Sequence, residues 1–124
     1  MIFQNSPFEL LDKAFKTLYP DKRYMAYIDV DMQDENGEKV CGCTQFNDDN
    51  TPIIFIDASL SIKNAVEIFA HELAHVAAGE QEGHGELWEK AFDEIQNEYN
   101  RIGTELYGTA NKELSEKEEQ TWDI

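Results

Sequence analysis

The sequence predicts a single α+β domain with an N-terminal helix, a small sheet of three strands and two later helices. The chain of 124 residues is 41% hydrophobic, which is enough to bury one compact core. Apolar residues recur at intervals of three and four in three segments, and short strand patterns lie between the first and the second of them. No internal repeat or low-complexity linker divides the chain. We therefore expect one domain over residues 1–108, followed by an acidic tail over 109–124.

The first helix is predicted to begin after Ser6. Ser6 is a typical N-cap residue, Pro7 suits the first helical position and Glu9 stands three residues after the cap. The segment 19–21, Tyr-Pro-Asp, predicts the end of the helix. The apolar face of this helix comprises Phe8, Leu11, Phe15 and Leu18.

Three strands are predicted after the first helix. Residues 24–32 alternate in polarity, and an Asn36-Gly37 turn leads into a second strand near 39–46, so this pattern predicts a hairpin. Residues 52–57, "PIIFID", are rich in β-branched residues, and proline is allowed at the first position of a strand. We expect one small, mainly antiparallel sheet.

Two longer helices complete the predicted fold. The central one has Ser61 as N-cap and Gly79 as its C-terminal stop. Its apolar stripe comprises Ala65, Val66, Phe69, Leu73 and Val76. The last helix follows Gly83 and carries a second stripe of Trp88, Ala91, Phe92, Ile95, Tyr99 and Ile102. The tail after it is mostly charged, and we expect it to pack loosely.

The charge and the N-terminus limit the possible functions and locations. A net charge of −16 opposes approach to nucleic acid or anionic lipid, so we expect a protein or peptide partner instead. The N-terminal segment lacks the pattern of a signal peptide and no apolar run approaches a membrane span, which predicts a soluble, cytoplasmic protein. Cys41 and Cys43 form neither a redox pair nor half of a four-thiolate zinc site, and we expect them to be reduced strand residues.

The central helix carries a His-Glu-x-x-His motif at residues 71–75. Four residues advance a helix by about 6 Å and turn it by about 400°, so His71 and His75 lie on one face and both imidazoles can reach one ion. Glu72 lies about 100° round the helix, where its carboxylate can accept a proton from a water molecule on that ion. Paired histidines on a helix are sometimes only surface or core residues. Two buried imidazoles without partners would be costly, however, and this favours a metal site.

A catalytic zinc ion takes three protein ligands, so a third side chain must be found. His84 is the leading candidate, because Gly83 and Gly85 on either side of it allow a tight turn next to the metal. A solvent-exposed loop histidine is the alternative interpretation. The last helix also offers acidic side chains that compete for the third position: Glu89, Asp93 and Glu94.

Three aromatic residues complete the set of candidate residues. Trp88 is interpreted as a core anchor that holds the third-ligand loop. Tyr99 or Tyr107 are candidates for stabilising an oxyanion, on residue type alone.

The motif "HELAH", followed eight residues later by "HGELW", resembles the SprT-like zinc metallopeptidases, the group that includes the Spartan-type proteases. The likeness covers roughly residues 40–100, including the "IIFIDASL" strand before the helix. The metzincin pattern does not fit, because its third histidine would fall at Gln81. No cysteine follows Cys43, so the resemblance does not extend to the zinc ribbon of many members, and the acidic tail differs from their basic DNA-binding elements.

The resemblance implies a minimal zincin-like domain in which His71, His75 and His84 bind Zn²⁺ and Glu72 is the general base of a metalloendopeptidase. The sequence leaves two other functions open. One is a pseudoenzyme or binding module with a structural zinc, and the other is an acidic protein-interaction module.

Overall fold

The computed structural model of the chain describes residues 6–47 and 51–122, with side chains described up to residue 106. Helices and a small sheet confirm the α+β class. The elements, in chain order, are α1 (Pro7–Leu18), β1 (Met25–Asp29), β2 (Gly42–Gln45), β3 (Ile53–Asp57), α2 (Ile62–Ala78), a short 3-10 helix (Glu80–Glu82) and α3 (Glu86–Trp122).

The predicted caps of the first two helices are confirmed. The Ser6 hydroxyl accepts a hydrogen bond from the backbone N–H of Glu9 at 3.2 Å. The Ser61 hydroxyl accepts one from the N–H of Asn64, also at 3.2 Å. Gly79 ends α2 with φ +98°, a backbone conformation that side chains disfavour. Local signals of one to four residues therefore define these helix boundaries.

The predicted hairpin pairing of the first two strands is wrong. β3 lies between them: it pairs in parallel with β1, with Ile56 opposite Ile28, and antiparallel with β2, with Ile56 opposite Gly42. The sheet is therefore mixed, where a mainly antiparallel sheet was expected. The physical reason is that β3 presents the large side chains of Ile54 and Ile56 to the core beneath α2, where both are buried, whereas every residue of β1 is exposed, so β3 suits the central position.

The Asn36-Gly37 turn does form, but it does not extend into a ladder between β1 and β2. Gly37 has φ +79°, and the Asp34 carboxylate accepts hydrogen bonds from the N–H groups of Asn36 and Glu38 at 2.8 and 2.9 Å. The only bridge next to the turn joins Gln33 to Lys39, within the described residues. The turn residues therefore form a local loop, whereas the pairing of the strands depends on tertiary packing.

The core lies between the sheet and the helices, with α2 at its centre. α2 packs against β2 and β3, while α1 and α3 pack against α2 and against each other. The largest fully buried side chains are Phe15, Leu11, Ile54, Leu73 and Ile95. Among the described residues, none of the helices is both long and apolar enough to cross a membrane.

The last helix runs further than its apolar stripe. Ile95 and Ile102 of the predicted stripe are buried, and the backbone of α3 continues to Trp122. The expected boundary between 108 and 109 falls within this helix. The side chains of the expected tail lie outside the described residues, so its loose packing stays a prediction.

Candidate metal centre

Three histidines from two parts of the chain meet at the surface of α2. His71 and His75 lie one turn apart on that helix, and their Nε2 atoms are 3.3 Å apart. The chain then reverses through Gly79 and Gly83, whose φ angles are +98° and +59°. This reversal brings the Nε2 atom of His84 to 3.0 Å from that of His71 and 3.1 Å from that of His75.

The three Nε2 atoms form a nearly equilateral triangle, which can be tested against a zinc site. Ligand nitrogens lie roughly 2.0–2.1 Å from zinc, so two corners of a regular tetrahedron are separated by roughly 3.3–3.4 Å. The observed edges of 3.0–3.3 Å are close to one face of that tetrahedron. His71 and His75 are half-buried and His84 is exposed, so the cluster lies where solvent reaches part of it. The donor set and its spacing fit a zinc ion.

The electrostatics of the cluster favour neutral imidazoles. Burial lowers the pKa of His71, and His84 lowers it further. Burial, followed by His71 and His84, lowers the pKa of His75 to about 4. At neutral pH both rings are therefore uncharged, which is the form that binds a metal.

Trp88 holds the third-ligand loop against α2. Its indole Nε1–H donates a hydrogen bond to the backbone carbonyl of His71 at 3.2 Å. Its ring centroid lies 4.8 Å from those of His71 and His84, and the indole stacks on Phe92 at 5.2 Å. Trp88 is half-buried against the core, as the interpretation of this residue as an anchor requires.

Glu72 is the buried acid of the site, with 6% of its surface exposed. The Thr44 hydroxyl donates a hydrogen bond to its Oε1 atom at 2.8 Å. Burial raises the pKa of Glu72, while the hydrogen bond from Thr44 and the attraction of His84 oppose that shift. The net effect of this environment is a raised pKa, with burial as the dominant cause.

Strand β2 contributes two residues that the sequence did not indicate. One is Thr44, the hydrogen-bond donor to Glu72. The other is Gly42, where an added Cβ would lie 2.4 Å from Cγ2 of Ile68 and 3.4 Å from Oε2 of Glu72. Both positions depend on how closely the sheet packs on α2, and no short motif in the sequence carries that information.

The competing candidates for the third position do not join the cluster. Among the residues that the structure describes, one group of three or more side chains is close enough together to hold a metal ion. It consists of His71, His75 and His84. Glu94 instead accepts a hydrogen bond from the Tyr19 hydroxyl at 3.2 Å and lies 3.9 Å from the Lys90 ammonium. The other two candidates, Glu89 and Asp93, are exposed on α3.

The tyrosine and cysteine candidates are not members of the histidine group. Tyr99 packs against both hydrophobic clusters of the core, and the side chain of Tyr107 lies outside the described residues. Cys43 is half-buried in β2 and Cys41 is exposed just before it, and both thiols are free.

Comparison of the chain with protein-family models, with curated proteins and with solved structures found no match. The function of the site must therefore be inferred from the side chains that form it. Three imidazoles around a shared point, with a buried carboxyl group next to His71 on the helix, can hold a divalent ion and move a proton beside it.

Proposed function

We propose that the protein is a zinc-dependent metalloendopeptidase, with His71, His75 and His84 as zinc ligands and Glu72 as general base. The observation that carries the proposal is the triangle of Nε2 atoms with edges of 3.0–3.3 Å next to a buried glutamate. The resemblance of "HELAH" and "HGELW" to the SprT-like metallopeptidases supports the same function, and we propose membership of that family with it.

The chain's own residues would move the proton during hydrolysis. A zinc ion in this position supplies Lewis acidity, which polarises a carbonyl group and lowers the pKa of water. Glu72 accepts a proton from the attacking water molecule and later delivers it to the leaving amine. Its raised pKa makes the carboxylate a stronger base than an exposed glutamate, which favours acceptance of the proton. Thr44 holds the carboxyl group in place through Oε1.

The proposed substrate is a protein or peptide segment in an extended conformation. β2 lies at one edge of the sheet, directly beside Glu72, and an edge strand can align an extended chain through backbone hydrogen bonds. The net charge of −16 argues against a nucleic-acid partner. A cytoplasmic location belongs to the same proposal.

Metal content and cleavage together test this proposal. Protein purified without added metal should contain one zinc ion per chain, and His84→Ala should weaken zinc binding strongly because one of three ligands is lost. Glu72→Gln keeps the shape of the side chain but removes the base. We expect this variant to retain zinc and stability, while chelator-sensitive cleavage of an unfolded protein such as casein falls by roughly a hundredfold or more.

Two results would contradict the mechanism. Unchanged zinc affinity in His84→Ala would exclude His84 as a ligand and redirect attention to the acids of α3. Chelator-sensitive cleavage that persists at full rate in Glu72→Gln would exclude Glu72 as the base. A zinc-loaded protein that cleaves neither casein nor itself would favour a structural metal over an enzyme.

A further inference from the structure

Strand β1 forms the other edge of the sheet and exposes apolar side chains on both of its faces. All five residues of the strand are exposed, and Ile28 is 62% exposed. Within the described ranges, no strand pairs with the outer edge of β1. The large apolar side chains exposed here are Met25, Tyr27, Ile28 and Val30. An uncovered apolar edge is a template for pairing with another strand.

The backbone of β1 is arranged to pair outward at two positions. Met25 and Asp29 both bond to the segment of β3, through an N–H at 2.9 Å and a carbonyl at 2.8 Å respectively. Bonding directions alternate along a strand of a parallel pair, so the N–H and C=O groups of Ala26 and Ile28 point away from β3. These four groups can bond to a further strand.

The two ends of β1 carry net charges of opposite sign. Lys22 and Arg23 precede the strand and outweigh the single negative charge of Asp21, while Asp29 and Asp31 lie at its C-terminal end, and all five residues are exposed. An antiparallel copy of the same strand would place each cationic end beside an acidic end. A parallel copy would bring like charges together at both ends, which is unfavourable.

We propose that two copies of the chain associate through antiparallel pairing of their β1 strands. In the symmetric register centred on Tyr27, Ala26 of each copy lies opposite Ile28 of the other, and the two outward-pointing pairs exchange their hydrogen bonds. A small side chain then stands beside a large one on the helix side of the sheet. The two sheets become one of six strands, with the two-fold axis perpendicular to it.

The acidic character of the chain does not prevent this association. Twelve of the 26 acidic residues lie on the 3-10 helix and α3, and these elements contact helices rather than β1. At physiological salt, charges separated by more than about 8 Å are largely screened. β2, which contacts Glu72 through Thr44, lies at the opposite edge of the sheet, so the proposal is independent of the peptidase function.

The mass in solution provides the first test, on the full chain at high concentration and physiological salt. Light scattering or sedimentation equilibrium should give twice the chain mass of 14.3 kDa. Ile28→Lys should give the mass of one chain, because it places a charge in the centre of the pairing. Ile62→Lys is the matched control: Ile62 is 69% exposed at the start of α2, and this variant should remain dimeric.

A charge exchange tests the antiparallel orientation. Lys22→Glu with Arg23→Glu makes both ends of β1 acidic, and Asp29→Lys with Asp31→Asn makes neither end acidic. Asn is chosen at Asp31 because the φ angle there is +53°, which Asn tolerates. Each double variant alone should raise the dimer dissociation constant at least about tenfold, and an equal mixture should form heterodimers.

Thermal unfolding of each variant shows whether it is folded before its mass is interpreted. A wild-type protein that is monomeric at high concentration overturns the proposal. So does a folded Ile28→Lys variant that stays dimeric, or a mixture of the two charge variants that shows no heterodimer.

Discussion

The two edges of the sheet differ in what covers them, although both pair with the same central strand. β2 packs against α2, where Gly42 approaches Ile68 and Thr44 donates to Glu72. All residues of β1 are exposed, and no helix contacts this strand within the part of the chain that the structure describes. α2 spans only two of the three strands. Its position, more than the composition of the strands, therefore decides which edge is buried around a reactive group and which remains an apolar surface.

The largest expected effect is the difference in stability between truncating an isoleucine of the central strand and truncating one of the exposed edge strand. Ile56 and Ile28 lie opposite each other in the β1–β3 ladder, but Ile56 is 3% exposed. Ile56→Ala should lower the free energy of unfolding by about 2–5 kcal/mol, because it leaves a cavity in the core. Ile28→Ala should change it by less than about 0.5 kcal/mol.

Urea unfolding of both variants measures this difference, at a protein concentration low enough to keep the chains monomeric. Similar losses in the two variants would mean that β1 is covered in the folded chain.

The second largest difference between the two edges is expected when a side chain is enlarged in each of them. Gly42→Ala places a methyl group 2.4 Å from Cγ2 of Ile68, a branched side chain on a packed helix that cannot move freely. We expect a loss of about 1–3 kcal/mol from overpacking. Ala26→Val enlarges a side chain at the β1 edge and should be nearly neutral by the same urea measurement. A neutral Gly42→Ala would show that β2 lies further from α2.

The hydrogen bond between Thr44 and Glu72 at the β2 edge is expected to have a smaller effect on stability than overpacking at Gly42. Thr44→Val keeps the shape of the side chain but removes the donor to a buried carboxyl group. The expected cost is about 1.5 kcal/mol in the metal-free protein, measured by thermal or urea unfolding. Thr44→Ser retains a hydroxyl and should recover part of that stability. If Ser and Val behave alike, the hydroxyl does not stabilise the folded protein.

The smallest expected effect concerns Asp57 at the end of the central strand. The hydrogen bond from Ser59 is the main cause that lowers the pKa of Asp57, and the Lys39 ammonium, 3.6 Å away, adds to it. Because the pKa of Asp57 is lower in the folded protein than in the unfolded chain, ionised Asp57 stabilises the fold at pH values above its ordinary pKa of about 4. This stabilisation is lost as the pH falls through the pKa of Asp57 in the folded protein. Ser59→Ala should therefore be less stable than wild type at pH 7.

Urea unfolding across the acid range should show the difference between Ser59→Ala and wild type shrinking below about pH 4. Ser61→Ala is a suitable control, because loss of an N-cap hydrogen bond does not depend on protonation of Asp57. A difference for Ser59→Ala that is the same at pH 7 and in acid would contradict a role through Asp57.

The sequence predicted the helical half of the site and part of the rest. His71, Glu72 and His75 share one helix, so the helical period alone placed the two imidazoles on one face. His84 was one of several candidates, since a loop of eight residues between His75 and His84 has many conformations. The choice between His84 and the acids of α3 needed the positive φ angles of Gly79 and Gly83 and the contact with Trp88.

The sheet shows why pattern reasoning reached a limit. Asn36-Gly37 indicated a turn, and a turn is present, but the expected hairpin assumed that strands adjacent in sequence pair with each other. In the structure, Ile54 and Ile56 of β3 are buried in the core that α2 covers, while β1 is exposed, and no pattern within a single strand specifies that order.

By itself, the sequence determined the local elements of this protein: where α1 and α2 begin, where α2 ends and which face carries His71 and His75. A cap hydroxyl, a glycine and the helical period act within about one turn of the chain, so a short window of sequence contains the whole interaction. Only the tertiary structure decided the position of β3 between its neighbours, the approach of Thr44 to Glu72 and the closure of the histidine triangle by His84. These contacts join residues that are distant along the chain, and their formation depends on how all the apolar surfaces are buried together.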